Sequence, residues 1–173
     1  MQATGGNSLV QRMIGAARLD VPTYEQIEHD EKATPQAAIV VVLVAIASGI
    51  GGAGDETSGI IAGLLSALIG WVVIAALVYF VGTRLLATTT TSATLGEVAR
   101  TVGFSYTANL LAIFGFIPVI GPIIALVAGI LATVALFIAV RQSLDISTGR
   151  AIAVALVALL IRIIIAAILF AIF

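Results

Sequence analysis

Cysteine is absent from this 173-residue chain, which excludes disulfides, iron–sulfur clusters and cysteine-ligated zinc. Charge is scarce too. Only 10% of residues are Asp, Glu, Lys or Arg, against about 25% in an ordinary soluble domain. The net charge of −1 comes without a basic patch, so a nucleic-acid partner is excluded. A single histidine, His29, and no pair of acids within the apolar runs leave no constellation for intramembrane hydrolysis, which needs paired Asp, Ser with His, or a His-rich zinc site. The chain is therefore expected not to be an enzyme. Haem ligation would need a histidine inside an apolar run, and Gly49-x-Gly51-Gly52-x-Gly54 is followed by no lysine, so it is not a phosphate loop. In Glu28-His29-Asp30-Glu31 consecutive side chains diverge around a helix, so a solvated acidic face is expected rather than a metal site. No cofactor or metal is expected.

What the chain does hold is apolar residue: 61% hydrophobic, with mean hydropathy +1.20. A soluble domain of this size leaves roughly 30% of its surface in water and needs polar residues to cover it. This sequence lacks them, so the solvent is a bilayer. A crossing helix takes about 20 apolar residues. Five runs meet or approach this, at about 35–51, 60–82, 102–117, 119–140 and 151–173. The third and fourth come from one uncharged stretch that Pro118, Gly121 and Pro122 interrupt; an interior proline removes a hydrogen bond and clashes with the preceding turn. The expected fold class is all-α: an integral membrane bundle of five transmembrane helices, preceded by a cytoplasmic segment over 1–34.

Charge placement supports five crossings. Arg12, Arg18, Lys32, Arg84, Arg100, Arg141 and Arg150 all fall on one side under that count, as cytoplasmic Lys and Arg should. The other loops, 52–59 and 118–121, hold none, and the first holds Asp55 and Glu56. This predicts a multi-pass protein of the cell (inner) membrane with a cytoplasmic N-terminus and the C-terminus opposite.

The N-terminal segment reads as an amphipathic helix over about 8–20 and a short juxtamembrane helix over about 24–31. Leu9, Val10, Met13, Ile14 and Ala17 form an apolar stripe, with Gln11, Arg12 and Arg18 facing away. Such a helix lies in the headgroup plane with its basic residues near anionic lipid, or packs on the bundle. Thr23–Gln26 and Thr94–Glu97 match the capping box, and Thr34-Pro35 an N-cap followed by proline.

Small-residue ridges mark expected close packing between helices: Gly59-x-x-x-Gly63-x-x-x-Ala67 in the second run and Gly121-x-x-x-Ala125-x-x-x-Gly129 in the fourth. Arg162 is the one charge deep inside a run, twelve residues past Arg150 and hence about 18 Å deep. A charge there costs roughly 2.5–3.5 kcal/mol or more, so it should face the bundle, a wet cavity or a partner. Asn109, Tyr106 and Ser105 of the third run, Ser66 of the second and backbone carbonyls are its candidate polar neighbours.

The sequence also resembles a known family. Asp20-Val21-Pro22-Thr23-Tyr24-Glu25-Gln26-Ile27-Glu28-His29-Asp30, leading into the first run, is similar to bacterial Yip-domain (Ypt-interacting-protein) membrane proteins. So are Gly82-Thr83-Arg84-Leu85, Arg100-Thr101-Val102-Gly103-Phe104, the turn Ile117-Pro118-Val119-Ile120-Gly121-Pro122, Ala139–Asp145 and Thr148–Ala151. The resemblance implies five spans and a cytosolic N-terminus. In eukaryotic relatives it implies roles in membrane traffic, Rab-type GTPase association and membrane shaping. The acidic Asp-Leu-Tyr-Gly-Pro type motif of those relatives is missing here, so GTPase binding is not carried over. Seven Arg against one Lys, with abundant Ala, suggests a GC-rich bacterium. The function expected is that of a membrane-organising protein or an accessory or scaffold subunit, whose partners are the bilayer and either further copies of itself or other membrane subunits. The alternative is a small transporter or channel with a polar site around Arg162.

Overall fold

Among the described residues, seven α-helices make up most of the chain in the computed structural model, which describes residues 8–52, 57–89 and 91–172, and side-chain surroundings for all of these except 57–60, 169, 170 and 172. Helix α1 (Leu9–Ala17) starts at Ser8, whose hydroxyl accepts from the Gln11 N–H at 3.3 Å. Helix α2 (Val21–His29) is capped by Asp20, whose carboxylate accepts from the Thr23 N–H at 3.0 Å. That replaces the expected Thr23 box: the Thr23 hydroxyl itself donates to Asp20, and an aspartate one turn earlier outcompetes it as the acceptor. Helix α3 (Ala33–Gly51) begins just before Thr34, with no side-chain cap. Its Pro35 sits in the first turn, where a missing N–H costs nothing.

Helix α4 (Thr57–Phe80) continues as a π-helical turn over Val81–Leu85. Helices α6 (Ile120–Ser143) and α7 (Thr148–Ile172) are long and apolar. Among the described residues, four helical segments are long and apolar enough to cross a membrane: Ala33–Gly51, Ile61–Leu85, Ile120–Ser143 and Thr148–Ile168. The expected fifth spanning helix, at 102–117, is corrected. Helix α5 (Leu95–Ser105) opens on the Thr94–Glu97 capping box, as its residues indicate, with the Thr94 N–H donating to Glu97 at 2.7 Å and the Glu97 N–H to Thr94 at 3.2 Å. At Tyr106 the chain tightens into a 3-10 helix that runs to Phe116. Around the change, the Ser105 and Thr107 hydroxyls each donate to the carbonyl three residues back, Val102 and Phe104, at 2.7 Å. Such bonds compete with the α-helical ladder.

Runs of 3-10 helix beyond three or four residues are uncommon. This one is clasped between α3 and α6 along its length. A β-carbon on Gly51 would overlap the Ala112 carbonyl, one on Gly115 would meet the Gly51 oxygen at 2.8 Å, and one on Gly121 the Gly115 oxygen at 2.5 Å. At the other end, a β-carbon on Gly103 would lie 2.7 Å from that of Ala37, near the start of α3. The composite segment 95–116 therefore follows α3 from its beginning to its end. A tight turn then reverses the chain: Val119 takes φ 69° and ψ −48°, and the Ile120 N–H donates to the Pro118 carbonyl at 2.8 Å. This is the strained classic γ-turn.

The core is concentrated where α2 docks. Tyr24 and Ile27 are fully buried, together with Val98, Val102 and Phe104 of the composite segment, Val140 and Leu144 of α6, and Val78 and Val81 at the end of α4.

Candidate functional site

Helical geometry decides the fate of α1. At 100° per residue, Leu9, Arg12, Met13 and Ala16 share one face. Arg12 and Ala16 are buried, and Leu9 and Met13 pack on the core, while Val10 (62%) and Ile14 (47%) stay exposed, as does Arg18. The expectation that Arg12 faces headgroups is corrected. Its guanidinium donates to Gln36 Oε1 at 2.8 Å and to the Asp30 carboxylate, leaving only Nε without a partner. Arg12 thus ties α1 to the start of α3, and its bond holds the Asp30 carboxyl below the usual carboxylate range.

A second arginine secures α2. Arg100 of α5 donates to the Ile27 carbonyl at 3.0 Å and to the Glu28 carbonyl at 2.7 Å. These are carbonyls of the last turn of α2, where the helix dipole favours a cation. Arg100 also lies 3.9 Å from Glu97. Sequence alone places Arg100 as a loop charge; the signal available is its position inside the amphipathic α5. Tyr24 completes the seat, donating to the Ala16 carbonyl at 3.4 Å.

Glu28 lies beside this clamp, not on a solvated acidic face as expected. Its side chain is buried with no compensating bond from Arg100, whose donors are directed at backbone oxygens. Burial, with Asp145 and then Glu97 adding like charge, pushes its carboxyl up to about 7, against the pull of His29 and Arg100. A carboxyl whose folded pKa is raised gives most stability below its unfolded value and loses it as pH rises through the folded one. Thermal stability of the detergent-solubilised protein should therefore decline from pH 4.5 to above 7. Glu28→Gln should flatten that decline. His29 shifts in the same direction, partly because of the Glu28 charge, so the difference between wild type and variant reports Glu28 together with its share of the His29 shift; parallel profiles would show that Glu28 does not titrate in this window.

Within the bundle, Arg162 lies fourteen residues after Thr148 and ten before Ile172, mid-way along α7. It is exposed, and among the described residues it makes no ion pair. A β-carbon on Gly70 of α4 would lie 3.7 Å from its Nη2, and its charge is felt at Tyr106. Of the expected polar neighbours, Tyr106 is within electrostatic reach of Arg162. The Ser105 hydroxyl is used on its own helix, and Asn109 is half-buried on the 3-10 helix.

The small-residue ridges divide. Gly121 is consumed inside the chain against Gly115, and Ala67 packs partly on the core. A β-carbon on Gly63 or Gly129 would meet nothing within 4 Å, and Ala125 is exposed. Ala125, Leu126, Gly129, Ile130, Thr133 and Val134 line a shallow outward groove on α6. The side-chain surroundings of Gly59 lie outside the described residues.

A family model described as the Yip1 domain matches residues 21–170. No curated protein and no solved structure is significantly similar to the chain.

Proposed function

Because this chain belongs to the Yip1-domain family, we propose that it is a non-enzymatic membrane-organising protein, an accessory or scaffold subunit that works by helix packing with copies of itself or with other membrane proteins. One observation carries the reading: the Ala125–Gly129 ridge and Gly63 are small-residue surfaces that the described residues leave uncovered. In lipid such surfaces drive association, because backbones can approach closely there. The alternative, a small transporter or channel with a polar site around Arg162, is less well supported, since the Ser105 hydroxyl is used on its own helix.

The proposed setting is the inner membrane of a bacterium, with the N-terminus cytoplasmic. The composite segment 95–116 supports an odd number of crossings even though it is not a spanning α-helix. Eleven residues of 3-10 helix rise about 22 Å and eleven of α-helix about 17 Å, and the segment runs beside α3 from Ala37 to Gly51. Val10, Ile14 and Arg18 are proposed as the headgroup-facing residues of α1.

Native mass spectrometry after mild solubilisation tests the function, and oligomers or stable protein partners are expected. A chain that always emerges as a lone monomer would sink the reading. Single cysteines, unique here because the chain has none, test the topology: Glu31→Cys and Ser147→Cys should label from the same side. Labelling from opposite sides would mean that 95–116 does not cross.

A further inference from the structure

The α4–α7 pair is closed at one end and open at the other. Trp71, Ile74, Ala75 and Val78 of α4 are buried, as are Ala151, Val154, Ala155 and Ala158 of α7. Past Gly70 and Arg162 this stops. Every residue from Arg162 to Ile168 is exposed, and on α4 so are Ile61, Ala62, Gly63, Leu65 and Ser66. Exposure over nearly two turns leaves no face of this stretch of α7 covered by the described residues. At the point where the helices part stands the uncompensated Arg162.

Intramembrane charges pair with one another or line wet paths. None of the four apolar spans contains an Asp or Glu, and the composite segment holds only Glu97, in its first turn beside Arg100. In the sequence, Asp55 and Glu56 come fifteen and fourteen positions before Gly70, ahead of the apolar run and outside the described residues. A second copy seated here would bring another arginine, not an acid. We infer that the open end of the α4–α7 pair seats a transmembrane helix of a different protein, one that carries an aspartate or glutamate near its mid-span to pair with Arg162. The small residues Gly63, Ser66 and Gly70 on the α4 side let that helix approach closely. This rests on the scaffold reading above and names the kind of partner it takes.

The test uses the full chain in phosphatidylcholine vesicles with fluorescent single-span leucine helices bearing Asp, Asn, Leu or Lys at the centre, association being followed by energy transfer. The Asp helix is expected to associate about tenfold more tightly than the Leu helix. Arg162→Leu should abolish that preference, and Arg162→Glu should transfer it to the Lys helix, a gain that a merely misfolded variant could not show. Equal association of the Asp and Leu helices would overturn the inference. So would native mass spectra in which phosphatidylglycerol is retained in an Arg162-dependent way while the Asp helix gains nothing, because the site would then hold a lipid headgroup. A chain that shows the charge-swapped preference yet purifies alone from its own membranes keeps this inference and sinks the scaffold reading. One whose native partners stay bound to Arg162→Leu, with no Asp-helix preference in the wild type, does the reverse.

Discussion

Asp30→Ala is expected to cost about 3 kcal/mol and to loosen α1 and α2 before the membrane helices melt. Arg12 is 1% exposed, and its Nε already lacks a partner. Without Asp30 the guanidinium keeps only Gln36, which leaves a buried charge uncompensated. Removing one partner of a buried pair costs about 3–5 kcal/mol; the lower end applies because the Asp30 side chain is 26% exposed and water can partly replace it. Arg12→Met should cost less than Asp30→Ala, since it removes the charge and keeps an apolar stem against Leu9 and Ala16. Hydrogen exchange read by mass spectrometry should show amides of 9–29 deprotected in Asp30→Ala while α6 and α7 stay protected. Unchanged exchange in α1 would mean the pair does not hold the N-terminal helices down.

The second large effect lies at the opposite end of the bundle. Gly51→Val should lower stability by about 1–3 kcal/mol or more, because overpacking cannot be relieved when the obstructing atom is backbone. There a β-carbon meets the Ala112 carbonyl, and no side chain can rotate away. Gly115→Val should behave alike against the Gly51 oxygen. Gly63→Val and Gly129→Val provide the controls: nothing lies within 4 Å of their β-carbon positions, so the thermal midpoint of the isolated protein should hold. Equal losses at all four positions would show that the 3-10 segment is not specially clasped between α3 and α6.

Several features are legible in the sequence because they are local. The Thr94–Glu97 capping box joins groups three residues apart, and both of its bonds form. The apolar lengths of α3, α4, α6 and α7 follow from composition. Sequence reading fails where other elements intervene. The apolar stripe sets Arg12 with the outward residues of α1, although its spacing from Leu9 and Ala16 places it on the packed face; only the arrival of Asp30 and Gln36 makes burial there tolerable. The segment after Ser105 is apolar enough for an α-helix, and its 3-10 form comes with hydroxyl back-bonding and two flanking helices. For Arg162, the sequence indicates depth and cost, while its openness depends on where α4 and α7 part.

Composition alone determined that this chain dissolves in lipid, since too few polar residues exist to cover a water-facing surface, and the lengths of four of the five apolar runs set the lengths of α3, α4, α6 and α7. Tertiary structure alone decided which arginine is buried and which is left open, where three glycines let backbones touch, and how the stretch between α4 and α6 travels from one end of the bundle to the other. The physical reason is range: hydropathy and capping act within a turn or two of the chain, whereas desolvation and close packing depend on atoms that distant residues bring into contact.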